Sequence, residues 1–251
     1  MGKGRFILSI LLFIRLGIYA QSLPPNYNLI PNPSFEFNTG LIDTSFISNK
    51  QCWIKPNKFV SYIVSNPNLG VPPVFGNYMA ALIMGYPRFD INNGIWVDTS
   101  VDGRAYFQTK LVQPLIAGET YHLTIHLGTI KSTTNYTDVV SNIGAYFSDT
   151  QVRAFDTFGR INVNPQIQFV NWDIPLLNVF LFTELKDTFV ASGGEQYLTI
   201  GNFDHFADWN FIHYTPASIT AGTTSGLLNS LFLDNVSLVR DTSIPIITLA
   251  H

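Results

Sequence analysis

The sequence has little of several features that mark common classes of protein. Only 12 % of its 251 residues are charged, and Cys52 is the only cysteine. A single cysteine excludes an internal disulfide and a metal site built from cysteines. We therefore expect Cys52 to be a packed thiol without a chemical role. Stability then has to come from the hydrophobic core, with or without the help of a bound ion.

Basic residues are also scarce, with 14 Lys and Arg against 17 Asp and Glu and a formal net charge of −3. A nucleic-acid partner needs clustered Lys and Arg, and docking on anionic lipid needs the same groups. The composition therefore argues against both kinds of partner. After the N-terminus no segment reaches the roughly 20 apolar residues that a membrane-spanning helix needs.

The first twenty residues have the three parts of a secretory signal peptide. A short basic start is followed by an apolar run over residues 6–14, and Ala20 places a small residue at the expected cleavage position. Arg15 makes the run too short for a membrane anchor. The sequence therefore predicts a signal peptide over 1–20 and a mature chain from Gln21. It predicts a protein that is secreted, periplasmic or on the outer cell surface.

Alternation of apolar and polar residues with a period of two runs through the chain, and it is typical of half-buried strands. Between Tyr121 and Leu127, apolar side chains alternate with polar ones. Further strands are predicted where β-branched and aromatic residues are frequent, over 59–64, 78–84, 105–112, 143–147, 188–191, 196–201, 209–214 and 230–239.

Clusters of Gly, Pro and Asn separate these segments and predict turns. About nine or ten strands without a convincing helix predict a sandwich or a barrel. Long loops are expected at 85–103, 149–165 and 203–228, and loops on a rigid scaffold usually carry function. Because no linker or repeat interrupts the chain, we expect one domain over 21–240 and a C-terminal tail over 241–251.

Five segments taken together point to a family. They are Asn-Leu-Ile-Pro-Asn-Pro-Ser-Phe-Glu at 28–36, Leu-Val-Gln-Pro-Leu-Ile-Ala-Gly-Glu-Thr-Tyr at 111–121, Asn-Ile-Gly-Ala-Tyr-Phe-Ser at 142–148, Gly-Gly-Glu-Gln-Tyr-Leu-Thr-Ile-Gly-Asn-Phe at 193–203 and Leu-Asp-Asn-Val-Ser-Leu at 233–238. The chain resembles bacterial secreted modules with the galactose-binding-like jelly roll, which are similar in layout to several carbohydrate-binding module families. Relatives often precede an outer-membrane-protein-A-like domain or a secretion-sorting tail. The resemblance implies an all-β sandwich of jelly-roll type that binds a glycan or another cell-surface polymer.

The resemblance also implies a calcium ion. Modules of this type often hold Ca²⁺ where the first and last strands meet, with a carboxylate from each motif, and the matching positions are Glu36 and Asp234. Oxygen ligands of this kind suit calcium. The alternative is a hydrogen-bonded polar pair without an ion. A transition-metal site on His122 and His126 is disfavoured, because residues four apart on a strand lie about 13 Å apart.

Catalytic motifs are hard to find in this chain. A glycosidase needs two carboxylates about 5–9 Å apart, and no two glutamates share a strand-spaced motif. The chain has no Gly-x-Ser-x-Gly elbow and no phosphate-binding glycine loop. These absences favour a protein that is not an enzyme. A hydrolase or lyase with a dispersed active site stays open as an alternative, since such a site leaves no local motif.

The segment 203–214 combines rings with groups that bond hydroxyls. Sugars stack their C–H faces on aromatic rings, while carboxylates and imidazoles bond the hydroxyls. The sequence predicts a ligand site here, formed by Asp204, His205, Phe206, Asp208, Trp209 and Tyr214, with Trp96 as a second platform. The alternative is that Trp209 packs in the core.

The sequence hypothesis is thus a secreted, non-catalytic module that binds carbohydrate. A structural or adhesive surface protein that binds another protein is the alternative.

Overall fold

The computed structural model describes residues 27–36, 52–59, 62–65, 72–85, 88–90, 95–97, 103–129, 136–154, 159–170, 172, 182–213, 226–228 and 230–242. The predicted signal peptide and residues 243–251 of the predicted tail lie outside this part of the chain. The strands are β1 Trp53–Ile54, β2 Tyr62–Ser65, β3 Tyr78–Ile83, β4 Arg88–Asp90, β5 Ile95–Val97, β6 Tyr106–Lys110, β7 Thr120–Thr129, β8 Tyr136–Val140, β9 Ile143–Ser148, β10 Ile167–Phe169, β11 Phe182–Val190, β12 Tyr197–Gly201, β13 Phe211–His213, β14 Gly226–Leu228 and β15 Ser230–Arg240.

Two five-stranded antiparallel sheets form the framework. The first sheet has the strand order β1-β6-β12-β9-β10, and the second has the order β11-β7-β15-β3-β2. The chain passes repeatedly from one sheet to the other, as in a jelly roll. No α-helix occurs in the described residues, where the only helical element is a 3-10 turn at Phe206–Asp208. The predicted all-β sandwich of jelly-roll type is confirmed.

The core lies between the inner faces of the two sheets. In β7 the alternation seen in the sequence places Tyr121, Leu123, Ile125 and Leu127 inside, each at most 1 % exposed. Phe35 enters the same core, with its ring centroid 5.0 Å from that of Trp53. Burial of these apolar side chains is the main source of stability, at roughly 25 cal/mol for each Å² removed from water.

The first and last motifs of the chain meet at one edge of the sandwich. The N–H of Leu29 donates to the carbonyl of Leu238 at 2.9 Å, and the N–H of Val236 donates to the carbonyl of Pro33 at 2.9 Å. This pairing brings Glu36 and Asp234 to the same side of the fold.

Some elements differ from the sequence prediction. Strand β11 begins at Phe182 rather than near 188, because charged residues on its exposed face hide its alternation. The loops expected at 85–103 and 203–228 contain the short strands β4, β5, β13 and β14.

In the segment at 149–165, the described residues 149–154 and 159–165 belong to a loop, and several of them lie against the outer face of the first sheet. There Ile161 forms a second, smaller apolar cluster with Tyr106 and Phe203.

No helix in the described residues is long and apolar enough to span a membrane.

Candidate functional site

The loop over 203–210 follows β12, and the buried side chain of Arg104 contacts it from the core side. Arg104 has no solvent exposure, and its guanidinium donates to the carbonyls of Asn202 and Asp204. The guanidinium carbon also lies 4.7 Å from the centroid of the Trp209 ring. Hydrogen bonds to a charged group are stronger than neutral ones, so Arg104 holds the start of the loop in place.

Trp209 is a core residue, and the expectation of an exposed stacking ring at this position is corrected. It is 7 % exposed, and its indole N–H donates to the carbonyl of Asp204 at 3.3 Å. The ring packs so closely on Gly85 that a Cβ there would lie 2.0 Å from the indole Cη2. At position 209 the aromatic ring therefore packs in the core.

Asp204 is half-buried and is held by amides from the neighbouring strands. Its Oδ2 accepts hydrogen bonds from the side-chain amides of Asn142 and Gln168, each at 2.5 Å. Asn142 also accepts from the N–H of Asn210 at 2.5 Å. Sequence reasoning missed Asn142 and Gln168, because they lie about forty to sixty residues from the loop and only the pairing of β9 with both β12 and β10 brings them near it.

Two other predicted site residues lie on the surface. His205 and Asp208 are exposed on the 3-10 turn and beside it, and the N–H of Ala207 donates to His205 Nδ1 at 3.3 Å. Together with Asp204 and the exposed Gln168, they give the loop a polar surface with both donors and acceptors. The structure thus brings four hydroxyl-bonding groups to one place without an exposed tryptophan among them.

Three of the predicted aromatic contacts lie outside what the structure describes. Tyr214 falls outside the described residues, and the side chain of Phe206 is not described. Trp96 is placed in β5, where its backbone pairs with Phe89, but its side chain is not described either. Their part in a ligand site stays a prediction.

The two carboxylates predicted to hold calcium cap the same turn. Glu36 Oε1 accepts from the N–H groups of Asn77 and Tyr78, both at 2.8 Å. Asp234 Oδ2 accepts from the N–H of Phe75 at 3.1 Å. Gly76 lies at the centre of this turn with a φ of 72°, and a Cβ there would come within 2.2 Å of the Glu36 carboxyl carbon, so only glycine fits.

Asp234 has a strongly perturbed acidity. Burial raises the pKa of Asp234 to about 6, against the lowering effect of backbone hydrogen bonds from residues such as Phe75 and Asn235, and the negative charge of Glu36 raises the pKa further. Burial is the largest of these effects on the pKa, and the repulsion from Glu36 is the smallest. A divalent cation would remove that repulsion, and carboxylate and carbonyl oxygens are its ordinary ligands.

A calcium ion at Glu36 and Asp234 would need ligands beyond these two carboxylates. Among the described residues, no three His, Cys, Asp or Glu side chains form a group that could hold a metal. Apart from Glu36 and Asp234, the ligands would have to be backbone carbonyls or water, which calcium accepts readily.

The histidines of β7 have other partners. On the outer face of the second sheet, His122 Nε2 lies 3.4 Å from Asp241 and His126 Nε2 lies 3.7 Å from Glu184. His126 Nδ1 lies 3.3 Å from the carbonyl oxygen of Asn235. The two side chains thus belong to separate pairs on the outer face of the second sheet.

Comparison with known proteins gives only distant structural likenesses. No family model and no curated protein matches the chain. The K1 cleaved adhesin domain of Lys-gingipain from Porphyromonas gingivalis W83 is 15 % identical at a TM-score of 0.40, over 79 % of this chain and 95 % of that one. The enzymatically active domain of bacteriophage CBA120 tailspike protein 4 is 14 % identical at a TM-score of 0.40, and the match covers 85 % of this chain and 21 % of that one.

A third solved structure is TmCBM61 in complex with β-1,4-galactotriose. It is 13 % identical with a TM-score of 0.35, over 86 % of this chain and 99 % of that one. At such identities and TM-scores these likenesses assign neither a ligand nor an activity to the chain.

Proposed function

We propose that this protein is a secreted, non-catalytic module that binds a glycan through the polar surface of the 203–210 loop. The observation that carries the proposal is the fixed position of the Asp204 carboxylate. Two side-chain amides hold its Oδ2, and within the described residues its Oδ1 has no hydrogen-bond partner. A carboxylate oxygen held in this way is a preorganised acceptor for a sugar hydroxyl.

The neighbouring groups support the same ligand class. His205 and Asp208 extend from the braced loop into solvent, so they can donate to and accept from further hydroxyls. Because Arg104 and Trp209 bond to the loop backbone from the core side, little conformational entropy is lost when a ligand binds. The distribution of donors and acceptors over a small, rigid surface suits a polyol better than an apolar partner.

Replacing Asp208 with alanine should weaken glycan binding about tenfold or more. A hydrogen bond to a charged group contributes roughly 1.5–3 kcal/mol, and 1.4 kcal/mol corresponds to a factor of ten in affinity. We expect the same direction for His205→Ala. Isothermal titration calorimetry with a glycan first identified on an array measures both effects.

Asp187→Ala is the matched control, because Asp187 is an exposed aspartate on the second sheet. Its affinity should equal that of the unmodified protein. If Asp208→Ala and His205→Ala both bind as tightly as this control, the loop does not contact the glycan.

We also propose that Glu36 and Asp234 hold a structural calcium ion. The proposal is supported by the repulsion between the two carboxylates and by the shared turn that they cap. An ion bound there would fasten the first motif of the chain to the last.

Export is the other part of the proposal. Expressed in a Gram-negative host, the protein should accumulate outside the inner membrane with Gln21 as its first residue, because the first twenty residues have the organisation of a signal peptide. Mass spectrometry of the intact protein measures this directly. A membrane-bound form that keeps Met1 would contradict it.

A further inference from the structure

A cleft opens on the outer face of the first sheet, away from the 203–210 loop. It has a volume of about 400 Å³ and is lined by Pro31, Cys52, Ile54, Lys110, Gln151 and Tyr197. Small-molecule sites usually have volumes of about 300–1,000 Å³. The cleft lies at the Tyr197 end of β12, whereas the loop follows Gly201 at the other end of the same strand.

The nitrogen-bearing side chains that line the cleft are donors. Lys110 is exposed, and no Asp or Glu is among the described residues that line the cleft. Arg153 donates to Gln151 Oε1 from Nε at 3.3 Å and from Nη2 at 3.1 Å. The Arg153 guanidinium thus bonds to the amide oxygen of Gln151, so the amide NH₂ group of Gln151 can donate to a ligand. Within the described residues, neither this NH₂ group nor the Lys110 ammonium has a hydrogen-bond partner.

An aromatic ring lies beside the ammonium group. Lys110 and Tyr197 are directly paired across β6 and β12, and Lys110 Nζ lies 6.0 Å from the centroid of the tyrosine ring. Tyr197 is half-buried, so part of its ring is open to a ligand. Pro31 and Ile54 add an apolar wall. The cleft therefore combines a stacking surface with hydrogen-bond donors and a positive charge.

Next to the cleft, on the same face of the first sheet, a buried hydrogen-bond acceptor has no donor among the described residues. Gln108 lies two residues before Lys110 on β6, so both side chains point to the same face. The amide nitrogen of Gln108 donates to Thr199 Oγ1 at 2.7 Å, while its buried Oε1 has no partner in the described part of the chain. A buried acceptor of this kind is ordinarily satisfied by water or a ligand, and Ile54, which lines the cleft, is paired with Gln108.

We infer that this cleft is a second glycan site and that it takes an anionic sugar residue. The sugar ring stacks on Tyr197, its anionic group pairs with Lys110, and a hydroxyl accepts from the Gln151 amide. The inference rests on the proposed function only in taking the ligand to be a glycan. Its charge preference comes from the cleft itself, since the groups that line it are donors and a cation.

The test compares ligands that differ in charge. The purified protein is titrated calorimetrically with trigalacturonate, with a neutral galactose trimer of the same linkage and with a sulfated galactose trimer. The three titrations separate the contribution of the sugar ring to binding from that of its charge. We expect trigalacturonate to bind at least about tenfold more tightly than the neutral trimer. Its affinity should fall as salt is raised, because the ion pair is open to solvent. The sulfated trimer shows whether the site needs a carboxylate or any anion.

Lys110→Met keeps the aliphatic stem and removes the charge, so it should lower the affinity for trigalacturonate about tenfold and leave the neutral trimer unchanged. Lys110→Arg should retain binding. Lys186→Met is the control, because Lys186 is an exposed lysine on the second sheet.

Equal affinity of Lys110→Met and the unmodified protein for trigalacturonate would overturn the inference, as would the absence of any preference for the acidic trimer. Asp208→Ala separates the two proposals, since it should weaken binding at the 203–210 loop without changing the titration of trigalacturonate.

Discussion

Replacing Trp209 with alanine should destabilise the fold by about 3–5 kcal/mol, the usual cost of truncating a buried tryptophan. The indole fills the space above Gly85 and lies against the Arg104 guanidinium. Its removal leaves a cavity and deprives a fully buried cation of a neighbour. For a chain of this size, 1 kcal/mol shifts the melting temperature by about 2–4 °C. Thermal unfolding followed by circular dichroism should therefore show a decrease of about 10 °C.

Phe75→Ala is the matched control for this variant. Phe75 is 64 % exposed, and only its backbone N–H takes part in the turn around Asp234. Its melting temperature should stay close to that of the unmodified protein. If Trp209→Ala were as stable as Phe75→Ala, the indole would not be a core residue and the packing described for the loop would be wrong.

In a chelating buffer, the contribution of Asp234 to stability should fall as the pH rises from about 4 to 7. In the unfolded state Asp234 has its ordinary pKa of 3.8 and loses its proton near that pH. In the folded state its pKa is about 6, so it keeps the proton until about pH 6. Between those values the unfolded state is favoured progressively, and above 6 the effect is complete. A difference of this size corresponds to about 3 kcal/mol, since one pKa unit is about 1.36 kcal/mol. Urea unfolding at a series of pH values measures it.

Calcium should reverse this trend. The ion needs ionised carboxylates, so protons compete with it and its stabilising effect should be larger at pH 7 than at pH 5. A chelator should therefore lower the melting temperature most at neutral pH.

Asp234→Asn separates the two effects. It removes the titrating group, so the difference in stability between pH 4 and pH 7 should shrink relative to the unmodified protein, and the response to calcium should disappear. A melting temperature that ignores both calcium and chelator at pH 7 would leave Glu36 and Asp234 as a hydrogen-bonded pair without an ion. A pH series for Asp234→Asn that matches the unmodified protein would show that Asp234 does not carry the pH effect.

The fold could be predicted because its dominant signal is local. The alternation from Tyr121 to Leu127 identifies β7 directly, since each second residue enters the core. Strand β11 was underpredicted because the exposed face between Glu184 and Thr188 is polar and its buried positions are few. The proximity of Glu36 to Asp234 followed from the resemblance of the terminal motifs, and no local pattern carries it.

The candidate site was only partly predictable, because sequence gives residue types and not the direction of side chains. Asp204, His205 and Asp208 lie in or beside the loop as expected, but Trp209 points inward over Gly85. Arg104, which holds the loop, lies about a hundred residues away in the chain. The cleft brings together residues from positions 31 to 197, so no motif could reveal it before the pairing of β1, β6 and β12 was known.

If the proposed function is right, the protein binds a glycan without cleaving it. The most direct measurement is calorimetric titration of the purified protein with an oligosaccharide selected on a glycan array, followed by chromatography of the recovered sugar. Saturable binding is expected, with an affinity about tenfold weaker for Asp208→Ala and an oligosaccharide recovered intact after prolonged incubation. The appearance of shorter sugars, or an array on which no glycan binds above background, would contradict it.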